Sequence, residues 1–251
     1  MKKWLSGVRM LVAGEYGLVI EFDPEISPAI NRRVQQLAGL LNSSLLPGVI
    51  EVVPTYRTVM VYYDPLVIAR QELSGVISQM LCKMNPQSSL PTESKTVYVP
   101  VCYGGVLGPD LEHVARYTRL TAAEVIDIHT ATSYLVYMLG FTPGFPYLGG
   151  LAEQLAMPRQ EKPRAKVPAG SVGIGGSQTG LYPVESPGEW WLIGRTPVKA
   201  FNPKNSRPFL FSPGDYLQFY AITVEEYFAI RREVAAGTYI PRICQGSESD
   251  E

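Results

Sequence analysis

Apolar and polar positions alternate in two short runs on either side of Gly14, "VRMLVAGE" and "YGLVIEFD". That period of two predicts a β-hairpin. From Ser27 the period changes. Ile30, Val34, Leu37 and Leu41 recur at helical spacing, with Ser27 placed to cap the helix and Pro28 in its first turn. "GVIEVVPTYRTVMVYYDP" predicts two strands broken at Pro54, and "PLVIARQELSGVISQMLCKM" predicts a second helix from Pro65. The order β-β-α-β-β-α over residues 1–85 implies a small sheet with both helices on one face.

Polar residues with Pro and Ser dominate from Asn85 to Lys95, which marks residues 86–95 as a linker. Beyond it the apolar runs are short and separated by Gly and Pro: "TVYVPV", "YLVYMLGF", "KVPAGSVGI", "GLYPVES", "WWLIGRTP", "PFLFS" and "DYLQFYAI". Such a pattern over residues 96–245 predicts a barrel or compact sandwich. Three helices interrupt it. Leu111, Val114 and Ala115 line the first, Thr121 with Glu124 opens the second as a capping box, and Thr223 with Glu226 opens the third. Residues 246–251 read as a flexible acidic tail.

Composition narrows the function classes. Of 251 residues, 46% are hydrophobic and 18% charged, enough apolar material for a sizeable core. A net charge of -1 removes the electrostatic drive toward nucleic acid or an anionic membrane. The 3 cysteines, Cys82, Cys102 and Cys244, are odd in number and form no CxxC, so a reducing, cytoplasmic setting is expected. Lys2 and Lys3 imitate an export signal, but Ser6, Gly7 and Arg9 break the apolar stretch that should follow. No run approaches the roughly 18 apolar residues of a membrane span. With only His113 and His129 present, a histidine-based metal site is not expected.

The stretch "GFTPGFPYLGGL" is the least ordinary part of the chain. Its glycines and prolines forbid a long helix or a central strand, and Phe141, Phe145 and Tyr147 are too many aromatics for a flexible linker. "AGSVG" is one residue from a nucleophile elbow at Ser171, but "IGGSQTGLYP" after it cannot form the required helix and both histidines lie upstream. "PAGSVGIGGSQTG" reads either as a backbone anion nest or as tight barrel turns. It lacks the P-loop lysine, and Gln178 stands where the last glycine of a dinucleotide motif belongs. "DLEHVARYTRLTAAEVIDIH" has helix-turn-helix spacing, but Arg119 takes the turn position and Glu124 and Asp127 are acidic, so two helices capping a barrel is the expectation. His129 reads as a core or helix-end group, or as a ligand contact. Arg164, Lys166 and Arg195 either brace loop carbonyls or fork onto a carboxylate or phosphate. Gln178, Tyr182 and Ser186 add amide and hydroxyl groups nearby. Trp190 and Trp191 alternate faces, so one enters the core while the other meets a loop, a ligand or a partner.

"YGGVLGPDLEHVA", "HTATSYLVYMLGFTPGFPYLGGL", "PRAKVPAGSVGIGGSQTGLYPVESPG" and "LIGRTP" together resemble the family of 5-oxoprolinase B subunits, also known as KipI-type kinase inhibitors. Relatives of that family form half of the carboxyltransferase region of urea carboxylase and are sometimes labelled allophanate hydrolase subunit 1. "PTYRTVMVYYDP" matches more loosely. The resemblance implies an α+β protein: a small two-layer α/β sandwich followed by a cyclophilin-like closed β-barrel. It implies hetero-oligomeric partners, a KipA-type C subunit and a LamB/YcsF-type A subunit. It also implies the ATP-dependent opening of 5-oxo-L-proline to L-glutamate, with ATP and Mg as cofactor of the complex and no structural metal. The alternative is an inhibitor of a sensor histidine kinase. Carried onto this chain, family positions fall on His129, Phe145, Pro146, Tyr147, Arg164, Gly170, Ser171, Gln178 and Arg195. His129, Arg195 and Gln178 are expected to be catalytic. The others, with Tyr182 and Trp190, are expected to bind substrate or partner, all around one shared concave mouth. Gly14-Glu15, Val106 and Glu189 depart from the family pattern.

Overall fold

The computed structural model describes residues 7–84 and 94–245. The expected tail at 246–251 lies outside the described residues, as does the expected linker at 86–95 apart from Ser94 and Lys95. The chain divides into two compact units, Met1–Glu93 and Ser94–Glu251.

In the first unit β1 (Arg9–Ala13), β2 (Gly17–Glu21), α1 (Pro28–Ser44), β3 (Val49–Pro54), β4 (Thr58–Tyr63) and α2 (Arg70–Lys83) follow in chain order. The strands form an antiparallel sheet in the order β1-β2-β4-β3. Strand alternation puts Leu18, Ile20 and Phe22 beside Val59, Val61 and Tyr63 on one face. The helical rows Val34, Leu37 and Leu41 of α1 and Leu73, Ile77 and Leu81 of α2 close over them in a single core. Ser27 Oγ accepts the Ile30 N–H at 3.3 Å, as its capping position requires. The second helix starts at Arg70 rather than at Pro65. The Asp64 side chain accepts the Leu66 N–H at 2.9 Å and its carbonyl accepts those of Val67 and Ile68. This local turn competes with the helix.

The second unit contains β5 (Lys95–Tyr103), α3 (Leu111–Thr118), α4 (Ala122–Ala131), β6 (Ser133–Leu139), β7 (Pro146–Gly149), β8 (Arg164–Val167), β9 (Ser171–Gly175), β10 (Gln178–Leu181), β11 (Ser186–Gly188), β12 (Trp191–Arg195), β13 (Tyr216–Ala221), α5 (Val224–Ala236) and β14 (Ile243–Gln245). The main sheet runs β10-β9-β12-β5-β13-β6-β7, with β14 added along β5, and β8 pairs with β11 separately. The long β5 serves three neighbours: β14 near its start, β13 in parallel along its middle, and β12 at its end.

This sheet curls until its two end strands meet, and the result is a nearly closed barrel rather than the closed one expected. A Cβ at Gly180 of β10 would sit 3.2 Å from the Pro146 carbonyl of β7, yet no ladder joins the strands. Pro146 has no N–H to offer across that seam. Val99 and Val101, Tyr134 and Val136, Val172 and Ile174, and Leu217 and Phe219 fill the interior in alternation. Leu111, Val114 and Ala115 of α3 and Val125 of α4 pack onto the same core. Arg119 makes the left-handed turn between α3 and α4 at φ 59°, and both expected capping boxes are formed.

Three strand expectations change. β7 lies inside the Gly/Pro-rich stretch, which is possible because it is an end strand opened by its proline. "PFLFS" forms no strand; one bridge joins Phe201 to Phe209, whose rings stack at 5.3 Å. β14 carries too few residues to show a period.

Candidate functional site

Between β6 and β7 the chain makes a compact loop that answers why its aromatics are needed. The Gly140 N–H bonds the Phe145 carbonyl at 3.2 Å, the Phe145 N–H bonds the Thr142 carbonyl at 3.1 Å, and Phe141 takes φ 61°. This geometry drives Phe145 inward while Phe141 stays exposed. The Phe145 ring meets Tyr147, Tyr182 and Trp190 edge-on at centroid distances of 5.2, 5.4 and 5.7 Å. Together with Phe141, these rings wall a cavity of about 280 Å³, to which Arg159 and Glu189 add the charge. Glycine is required at one wall: a Cβ on Gly175 would lie 2.3 Å from Trp190 Cδ1.

The charged groups of this cavity are tied to one another. Arg159 Nη1 donates to Glu189 Oε1 at 2.7 Å and Nη2 to Gln178 Oε1 at 3.3 Å, and the guanidinium carbon stands 6.0 Å from the Trp190 ring. Burial pushes the Tyr182 phenol up to about 12, so it keeps its proton at neutral pH. Behind the wall, Arg164 donates to the Trp190 carbonyl at 3.2 Å and to Asp110 Oδ1 at 2.7 Å. Asp110 Oδ2 accepts the Leu192 N–H at 2.6 Å, and the Asp110 N–H bonds the Leu192 carbonyl at 2.9 Å. Arg164 is thus a brace that fixes the Trp190 main chain. It takes the loop-bracing role, with one nitrogen on a main-chain carbonyl and the other on an internal carboxylate.

His129 is elsewhere. It is fully buried, with Nε2 2.8 Å from Thr179 Oγ1, Nδ1 2.8 Å from the Tyr103 hydroxyl, and its ring stacked on Phe219 at 4.7 Å. Burial pushes its pKa down to about 3. It borders neither this cavity nor the one around Arg195. The expected catalytic role does not fit that position, and the alternative of a core group does: the apolar stack that fills the barrel takes in the single histidine of α4.

Gly170 and Arg195 line a second cavity, of about 210 Å³, between the barrel end and α5. Arg195 Nε donates to the Ala169 carbonyl at 2.9 Å. The glycine-rich turn beside it is not an anion nest. The Gly170 N–H goes to the Tyr182 carbonyl, that of Ser171 to Pro168 and that of Gly176 to Met157. Its donors are consumed by barrel turns, and Ser171 is buried at the start of β9.

The expected single mouth is therefore divided. Phe145, Tyr147, Tyr182 and Trp190 share the aromatic cavity, with Gln178 bound to its Arg159 and with Pro146 buried at the seam. Arg195 and Gly170 belong to the second cavity, and His129 to the core. Neither tryptophan is left as a free patch: Trp190 is buried, and Trp191 stacks on His113 at 4.2 Å and donates Nε1–H to the Pro158 carbonyl at 2.7 Å. Sequence reasoning missed Arg159, Asp110, Thr179 and Tyr103, whose partners lie 19 to 54 positions away. No local spacing marks such pairs. Glu189 was visible only as a departure from the family pattern.

A magnesium-bound triphosphate does not fit either cavity. The aromatic one offers a single guanidinium already paired with Glu189, and the second has no carboxylate in its lining. Among the described residues no group of three His, Cys, Asp or Glu side chains is placed to hold a metal ion.

Residues 8–211 match the family described as carboxyltransferase domain, subdomain C and D. The chain is 41% identical over 228 residues to the 5-oxoprolinase B subunit of Bacillus subtilis, covering 88% of this chain and 95% of that protein. It is likewise 41% identical over 216 residues to the 5-oxoprolinase B subunit of Escherichia coli O157:H7, covering 86% and 96%. The crystal structure of Kluyveromyces lactis urea carboxylase shares the fold, with a TM-score of 0.78 at 21% identity over 95% of this chain and 24% of that one. The matched segment takes in the described part of the first unit from Val8 on, the barrel strands β5 to β12 and every residue lining the aromatic cavity, and on that extent and the 41% identity the chain belongs to the family of 5-oxoprolinase B subunits within the carboxyltransferase C and D domains.

Proposed function

We propose that this chain is the B subunit of an ATP-dependent 5-oxoprolinase, acting with the C and A subunits to open 5-oxo-L-proline to L-glutamate. The observation that carries this reading is the 41% identity to a protein of that name over nearly the whole of both chains. A match spanning 95% of the relative's length is a match to an entire polypeptide rather than to a borrowed domain.

The aromatic cavity suits such a substrate. A five-membered lactam is flat, with apolar faces and polar edges, and the edge-on rings of Phe145, Tyr182 and Trp190 supply a rigid apolar slot. Arg159 takes the substrate carboxylate, exchanging part of its contact with Glu189, and Gln178 holds the guanidinium in place. Tyr182, protonated at neutral pH, donates to the oxygen on which negative charge develops. The walls exclude water from the remaining faces. ATP, which activates the lactam against amide resonance, is assigned to the partner chains, since neither the aromatic cavity nor the Arg195 cavity fits it. The isolated chain is then inactive, and the assembly is cytoplasmic.

The test is reconstitution. The three purified proteins with ATP and 5-oxo-L-proline are expected to release L-glutamate, and omission of this chain is expected to abolish it. Equal glutamate formation without this chain would overturn the reading.

A further inference from the structure

The second cavity concentrates charge that neither the barrel nor the aromatic site uses. Arg195 of β12, Lys199 just beyond it and Arg231 of α5 all line it, and no carboxylate does. Four other cations of this unit are paired, Lys95 with Asp215, Arg159 with Glu189, Arg164 with Asp110 and Lys166 with Glu185, whereas this cavity brings three unpaired ones to a single lining. Among the described residues no acidic group lies within ion-pair distance of Arg195, Lys199 or Arg231. Arg195 is half-buried while Lys199 and Arg231 are exposed, so water screens part of the repulsion among these three like charges on one concavity. An anion at their centre relieves that repulsion.

The surroundings limit what the anion is. Arg195 is held in place through its Nε bond to the Ala169 carbonyl, which leaves its Nη groups for a ligand. The backbone donors alongside are spent, since the Thr196 N–H bonds the Gly170 carbonyl at 2.8 Å and the Gly170 N–H bonds the Tyr182 carbonyl at 2.6 Å. Recognition falls to side chains. Tyr227, buried, and Val234 of α5 supply apolar walls. A volume of about 210 Å³ admits a small oxyanion with a few waters, and not a nucleotide.

We infer that this cavity is a binding site for a small oxyanion, a carboxylate or a phosphate, held jointly by Arg195, Lys199 and Arg231. The inference does not rest on the reaction proposed above. It is tested on the isolated full-length chain, without ATP or partner chains, by calorimetric titration at low ionic strength with inorganic phosphate and, separately, with acetate. Saturable binding of one or both probes is expected, and which probe binds distinguishes the phosphate source from the carboxylate source. Lys199→Gln and Arg231→Gln are each expected to weaken it about tenfold, the loss of one charge-assisted contact. Arg232→Gln, on the same helix but outside the cavity, is expected to leave it unchanged. Circular dichroism establishes that the variants are folded. Absence of saturable binding to the wild-type chain with both probes overturns the inference, as does undiminished binding by the Lys199→Gln/Arg231→Gln double variant. Neither result bears on reconstituted glutamate formation, so the two readings fail separately.

Discussion

The Thr179 hydroxyl stands 2.8 Å from His129 Nε2 and donates its own proton to the Gly173 carbonyl at 3.0 Å. Having one proton, it accepts from His129, so Nε2 carries the hydrogen of a neutral imidazole. Nδ1 is then an acceptor, and the Tyr103 hydroxyl donates to it at 2.8 Å. The Tyr134 hydroxyl donates to the His129 carbonyl at 2.9 Å. One residue thereby links α4 to β5, β6 and β10.

This clamp gives stability a defined pH dependence. Burial holds the folded histidine near 3, against an ordinary value of 6.5. Between those limits the unfolded chain binds a proton that the folded chain does not. The contribution of His129 is complete above pH 6.5 and is lost as pH falls, at about 1.4 kcal/mol per pH unit. His129→Gln is expected to cost about 2–4 kcal/mol at pH 7 through its lost hydrogen bonds and ring stack. Urea unfolding at pH 7, 6 and 5 should show the gap between wild type and variant narrowing with acidity. A constant gap would refute the neutral-clamp assignment.

Gly175→Ala tests whether the position of Trp190 matters. The new methyl would lie 2.3 Å from the indole, so the ring must leave its place against Phe145. Overpacking of this kind costs about 1–3 kcal/mol. The expected outcome is a folded protein with altered tryptophan emission and at least about tenfold lower reconstituted turnover, as misplacement of a positioning wall brings. Wild-type turnover with shifted emission would remove Trp190 from the site.

Asp110→Ala tests the brace behind that wall. It strips Arg164 of its carboxylate and leaves the Leu192 N–H without its acceptor, at a cost of about 2–4 kcal/mol. Because Arg164 acts through the Trp190 main chain, turnover should fall together with stability, and Arg164→Lys should restore neither. A thermal midpoint unchanged by Asp110→Ala would show that the pair braces nothing.

What was legible in the sequence follows from how far each signal reaches. Ser27, Thr121 and Thr223 cap helices through partners three residues away, and the alternation at Leu18, Ile20 and Phe22 is a property of one strand, so caps, helices and the first sheet could be read directly. The aromatic wall was half legible, because Phe145 and Tyr147 announce themselves in a loop that has no other use for them. Its charged partner was not: Arg159 reaches Glu189 across 30 positions. Of the two readings of His129, the core group holds and the ligand contact does not, for a physical reason. A lone histidine near a rigid loop admits either reading, and the deciding partners, Tyr103 and Thr179, satisfy both ring nitrogens inside the barrel without being neighbours in sequence. The split into two cavities depends on β-sheet order, which alternation within strands does not encode.

Arg159 separates substrate anchoring from chemistry. Its side chain is about half exposed, so its ion pair with Glu189 adds little to stability, within about 1 kcal/mol. If it holds the substrate carboxylate equally in the ground and transition states, Arg159→Gln should raise KM for 5-oxo-L-proline about tenfold or more while kcat changes little. Glu189→Gln frees the guanidinium from its internal partner and should lower KM or leave it unchanged. Thermal unfolding of both variants should match the wild type. An Arg159→Gln enzyme with unaltered KM would move the carboxylate anchor away from the aromatic cavity, and a fall in kcat at constant KM would instead place Arg159 at the reacting bond.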